Sequence, residues 1–90
     1  GLNKGGIVMV WVLDAHHIDE FDIYVKFNDG KEGVINLEAY MNNKQDHSIF
    51  GLLKEKEHFK KMRFDQDLDT VVWDNGADIA PETLYTLLSA

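Results

Sequence analysis

Ninety residues with 44% hydrophobic side chains and a formal net charge of −7 make one small domain spanning 1–90, whose acidic balance opposes sequence-independent binding to phosphate backbones and favours a basic protein partner. The chain has no cysteine, which excludes disulfide scaffolds, thiolate metal sites and thiol catalysis and is compatible with a reducing cytoplasm. Its longest apolar run, Ile7 to Leu13, is too short to cross a membrane, and with Asp14 next and no small-residue cleavage site it does not read as a signal peptide.

Residues 7–14, rich in Ile, Val and Trp, predict a first strand, and the polar stretch Asp14 to Glu20 predicts a turn. Phe21, Ile23, Val25 and Phe27 alternate with Asp22, Tyr24 and Lys26, the period-two pattern of a half-buried strand. Asn28-Asp29-Gly30 is a hairpin turn that returns the chain as a third strand, Lys31 to Ile35. Asn36 suits the cap of a short helix from Leu37 that carries Tyr40 and Met41. A polar loop, Asn42 to His47, leads to a second helical stretch capped by Ser48 and running from Ile49 to about Glu57. Phe59 to Phe64 predicts a fourth strand, with Met62 and Phe64 on one face, and Asp65 to Asp69 turns into a fifth at Thr70 to Trp73.

The C-terminal end is the most informative. Asn75-Gly76 is a turn dipeptide, because both residues tolerate positive φ. Pro81 suits the first helical position, which makes Ala80 the N-cap and lets Ile79 and Leu84 clasp as a hydrophobic staple. Ala80 lacks the side-chain oxygen of a good cap, an omission that costs about 1 kcal/mol. Leu84, Leu87 and Leu88 lie at helical spacing. The expected order is β-β-β-α-α-β-β-α: an α+β fold on a mainly antiparallel sheet, with short helices and a C-terminal helix.

No constellation in this order carries catalysis. Asp65, Asp67 and Asp69 are spaced like the first ligands of a calcium loop, but the sixth position is Thr70 and the twelfth Gly76, so a solvated acidic turn is expected. His16 and His17 lie near Asp14, Asp19 and Glu20, the side-chain types that hold zinc; adjacent histidines on extended backbone point to opposite faces, which works against one shared ion. His47 and His58 stand alone, Ser48 and Ser89 lack a nucleophile motif, and Gly5-Gly6 precedes a strand without the lysine of a phosphate loop. Lys54, Lys56, Lys60, Lys61 and Arg63 alternate with Phe59, Met62 and Phe64, but Glu55, Glu57 and Asp65 dilute them into a solvated connection. The reading is therefore a non-enzyme with no metal and no cofactor. Trp73, Asp74, Asp78 and Tyr85 are the candidate interface residues, since aromatic side chains anchor interfaces and carboxylates attract a basic partner.

Phe27-x-Asp29-Gly30 followed by Val34-Ile35-Asn36-Leu37, then Phe50-x-x-Leu53 with Phe59 and Met62-Arg63-Phe64, then Trp73-x-Asn75-Gly76-Ala77-Asp78-Ile79-x-Pro81-Glu82-x-Leu84-Tyr85 together resemble the domain of unknown function family 2442. The resemblance covers roughly residues 8–86, and departs at Ala80, where the family often has Ser, and at Asn36, where it often has Asp. It implies a small bacterial α+β domain with no established activity. Some relatives carry a helix-turn-helix extension, for which ninety residues leave no room, so direct DNA binding is not expected. Others occur beside small toxin-like proteins, which implies an antitoxin-like role. The expectation is an acidic, cytoplasmic protein-interaction module paired with a small basic protein. The alternatives are a small-molecule or metal-binding domain built on His16 and His17, and a structural homodimerisation unit.

Overall fold

The computed structural model describes residues 9–42, 53 and 55–89. In chain order the elements are β1 (Val12–Asp19), β2 (Asp22–Phe27), β3 (Glu32–Asn36), α1 (Glu38–Asn42), α2 (Lys56–Phe59), β4 (Arg63–Asp65), β5 (Thr70–Val72), β6 (Asp78–Ile79) and α3 (Pro81–Ser89). The fold is α+β and its strand pairing antiparallel, as expected. The strands divide into two three-stranded sheets, β1-β2-β3 and β4-β5-β6.

Three elements differ from the reading of the sequence. The stretch after Asp14 continues as strand: Ala15 is buried between the exposed Asp14 and His16, so its polar residues occupy the solvent face of β1. The turn into β2 comes at Glu20, with φ of 50°. Phe59 closes the single turn α2, where its N–H donates to the Glu55 carbonyl at 3.0 Å, and the strand begins only at Arg63. Finally, residues 78–79 form a short strand of their own, paired with β5. Asn42, expected to open a loop, closes α1; the rest of that predicted loop to His47, the Ser48 cap and most of the Ile49–Glu57 helix lie outside the described residues.

One turn design serves both sheets. In Phe27–Lys31 the aromatic N–H donates to the carbonyl four residues on at 2.8 Å, and the Gly30 N–H returns to the Phe27 carbonyl at 3.0 Å. The Asp29 carboxylate accepts the Lys31 N–H at 2.9 Å. Trp73–Ala77 repeats every bond: Trp73 N–H to the Ala77 carbonyl at 2.9 Å, Gly76 N–H to the Trp73 carbonyl at 3.0 Å, and Ala77 N–H to Asn75 Oδ1 at 3.1 Å. Gly30 and Gly76 have φ of 92° and 96°, the left-handed geometry that closes such a three-residue loop.

The inner face of the first sheet, with Ile23, Val25, Phe27 and Ile35, meets Phe59, Val71, Trp73 and Leu84 in one core. Asn36 caps α1 as expected, its Oδ1 accepting the Glu38 N–H at 3.0 Å. The Ala80 carbonyl accepts the N–H groups of Thr83 and Leu84, which places it at the N-cap, and both staple residues, Ile79 and Leu84, are buried. Helix α3 then lies over β3, so close that a Cβ on Gly33 would meet Leu88 Cδ1 at 2.8 Å. The two sheets touch where the Val12 N–H donates to the Asp69 carbonyl at 2.9 Å.

Two substitutions grade this architecture. Phe59→Ala empties a fully buried site and is expected to cost about 3–5 kcal/mol; urea unfolding that moved by less than a quarter of that would show that the core closes over the gap. Gly76→Ala adds no steric contact but imposes positive φ on a residue with a Cβ, for about 1–2 kcal/mol. An unchanged unfolding midpoint would mean that the turn relaxes to another form.

Candidate functional site

The four candidate interface residues do not form one cluster. Trp73 is buried; its indole N–H donates to the Phe59 carbonyl at 2.9 Å and its ring lies 5.6 Å from that of Phe59. It is a core residue, and an exposed anchor at this position is corrected accordingly. Asp74 is exposed and accepts from Arg63 Nε at 3.3 Å. Asp78, also exposed, sits on β6 opposite Val72. With Arg63, Asp65 and Leu68, these two aspartates and the edge of Trp73 line a shallow depression of about 240 Å³. Tyr85 is not among its lining residues. It stands on α3, donates its hydroxyl to Asp29 Oδ2 at 2.6 Å, meets Phe27 edge-on at 5.0 Å, and has Lys31 Nζ 5.0 Å from its ring centre. That group clasps the C-terminal helix to the β2–β3 turn.

The exposed apolar side chains lie elsewhere. Met9, Trp11, Leu13 and Leu68 are 70%, 39%, 49% and 55% exposed, and Ile18 on β1 and Val34 on β3 are exposed as well. Trp11 and Leu13 flank Val12, whose own side chain is buried, and the Val12 N–H reaches the carbonyl of Asp69, the residue after Leu68. The start of β1 and the β4–β5 turn therefore present apolar groups on either side of one hydrogen bond. Asp65 shapes that turn by accepting the N–H groups of Asp67 at 2.8 Å and Leu68 at 3.1 Å, and Asp69 closes it at φ of 58°. From the sequence Trp11, like Trp73, reads as either a core residue or an interface anchor, and Met9, Leu13 and Leu68 were passed over. Leu68, alone among aspartates in a turn, was the available signal; the run 9–13 is apolar throughout and does not reveal which members face out.

His16 and His17 diverge as extended backbone requires. His16 stacks on Tyr24 on the outer face, with ring centres 5.0 Å apart, while His17 points its edge at Phe59 and its Nε2 lies 2.9 Å from the Glu20 carbonyl oxygen. Among the described residues no three His, Asp or Glu side chains converge on a position for a metal ion. No helix among them is long and apolar enough to cross a membrane.

A family model described as "Protein of unknown function (DUF2442)" matches residues 12–88. The chain belongs to that family. No curated protein and no solved structure matches it. The span shared with the family runs from the first residue of β1 to near the end of α3, so it takes in both sheets and both repeated turns. Leu13 and Leu68 fall inside it, and Met9 and Trp11 precede it.

Charge is distributed unevenly over this family fold. Lys56 meets Glu20 at 2.7 Å, Lys60 meets Glu57 at 2.9 Å, and Arg63 lies within 3.7 Å of Asp65 and 3.3 Å of Asp74. The Glu20 contact raises the Lys56 pKa, and Lys60 lowers that of Glu57. Asp14, Asp67 and Asp69 make no ion pair among the described residues. On the outer face of the first sheet Tyr24 donates to Glu32 Oε1 at 2.6 Å, and chiefly through that bond its phenol is pushed up to about 12. The Tyr85 phenol is raised by its bond to Asp29, and the same bond lowers the Asp29 carboxyl.

Because the folded Tyr24 pKa lies above its ordinary value of 10.0, the Tyr24–Glu32 bond contributes fully below that pH and fades as pH climbs toward about 12. Glu32→Gln is expected to bring this ionisation down toward 10.0, followed by phenolate absorbance, and Tyr24→Phe should remove the step near 12. A titration curve indifferent to both changes would contradict the bond.

Proposed function

We propose that the protein is a non-catalytic interaction module, the acidic and antitoxin-like member of a pair with a small basic protein. One observation supports this reading above the rest: three of the carboxylates that make no ion pair among the described residues, Asp14, Asp67 and Asp69, adjoin exposed Leu13 and Leu68 in a chain of net charge −7. Carboxylates beside apolar side chains suit a surface that is desolvated by a cationic protein. Asp74 and Asp78 extend the acidic character around the depression that Leu68 helps to line. The interface so drawn keeps these two aspartates, with Trp73 beneath as support and Tyr85 in a structural clasp. The metal reading has less to stand on, since His16 and His17 occupy opposite faces of β1.

Affinity capture of the tagged chain from lysate of its source cells tests the proposal. The expected result is one stoichiometric basic protein that is released as salt rises, because the screening length falls from about 10 Å at 0.1 M to about 3 Å at 1 M. Recovery of the chain alone would refute the pairing. Light scattering would then separate a homodimer from a monomer, and the homodimer would make the protein a self-assembly unit.

A further inference from the structure

We infer that Trp11, Leu13 and Leu68 form a docking strip for a basic amphipathic helix of the partner protein; this rests on the interaction-module reading above and specifies its surface. The apolar part is defined by burial. Val12 turns inward and is 1% exposed, so its neighbours Trp11 and Leu13 turn outward, and the Val12–Asp69 hydrogen bond brings Leu68 alongside. Asp14, next to Leu13, and Asp67 and Asp69, on either side of Leu68, make no ion pair among the described residues. A partner that covers the leucines therefore meets carboxylates on its flanks, and the side chains that match them are Lys and Arg.

The backbone decides the form of that segment. An added strand needs open N–H and C=O groups along an edge. Here the Trp11 N–H and carbonyl and the Met9 carbonyl are turned to Asn28 on the β2 side, at 3.0, 3.1 and 3.0 Å, and on the opposite side the Val12 N–H is taken by the Asp69 carbonyl at 2.9 Å. With that outward donor occupied by the β4–β5 turn, recognition at the strip falls to side chains. A helix with leucine-like residues along one stripe and lysines beside it presents such a set. A second copy of the chain is a poor occupant, because two surfaces of net charge −7 repel.

The test uses the full chain and a synthetic helical peptide with Leu on one face and Lys on the other. A scrambled peptide of the same composition and a version with Glu in place of Lys serve as controls. Trp11 is exposed and Trp73 buried, so a shift in tryptophan emission on binding reports the strip, and calorimetry gives the affinity. The Leu/Lys helix should bind in preference to both controls, and Leu68→Ser and Asp67→Lys should each weaken it by about tenfold or more, as expected for a central apolar contact and a rim charge acting together. Both substitutions lie at exposed positions, and unchanged urea unfolding would confirm an intact fold.

No binding, equal binding of the controls, or affinity untouched by both substitutions would overturn the strip. So would a homodimer that Leu68→Ser dissolves. Capture of a basic partner at full strength by the two variants would overturn the strip and leave the pairing standing. Failure of both capture and peptide would end both.

Discussion

Phe59 is where the two sheets become one domain. Its ring stands 5.0 Å from Phe21 at the first sheet's turn, 5.6 Å from Trp73 at the end of β5, and 5.8 Å from His17 on β1. Its carbonyl takes the Trp73 indole N–H. The second sheet could not persist alone: β4 and β5 have three residues each and β6 has two, below the length at which isolated strands hold together. The single turn α2 has no stability of its own either. Each element depends on the aromatic contact at its centre, so the domain should unfold as a unit, without a separately stable half.

The same dependence accounts for the most recognisable stretch of the chain in structural terms. Trp73 to Pro81 contains a core indole, a turn closed by Gly76, a two-residue strand and the start of α3. The buried Thr70 hydroxyl adds a hydrogen bond to the Ile79 carbonyl. Every polar side chain whose bond is described in this stretch bonds back into the protein: Asn75 to the Ala77 N–H, and Asp74 to Arg63. The Phe27–Lys31 turn uses the same device, and its Asp29 also holds Tyr85. A motif of this kind specifies a fold.

What could be read from the sequence follows from local patterns of this kind. The alternation from Phe21 to Phe27, both glycine turns, the Asn36 cap and the helix at Pro81 obey local rules, and the structure agrees with each. The errors came where tertiary context overrides local character. Asp14 to Asp19 looks like a loop by composition, but it is a strand with one face in water. Phe59 suits a strand by propensity, yet it is buried from a helical turn. Ile79 reads as a staple residue and also pairs as strand, and two residues give no periodicity to detect. The candidate surface was least legible. Trp73 and Trp11 are the same residue type on β-forming sequence, and only the packing makes one a core residue and the other a half-exposed one.

The arrangement of charge finally bears on how such a surface would act. Three of the six lysines and arginines described spend their charge locally: Lys56, Lys60 and Arg63 each meet a carboxylate of this chain. These pairs are exposed and contribute little to stability, but they cancel part of the field around α2 and β4. The negative excess therefore weighs on positions without such counterparts, among them Asp14, Asp67 and Asp69. Charges of one sign on an exposed rim raise the rate of encounter with an opposite surface more than they strengthen the complex. Lasting affinity has to come from desolvating Trp11, Leu13 and Leu68, a term that salt does not screen. On this physical basis the carboxylates would select and steer the proposed partner, while the apolar side chains would set how long it stays.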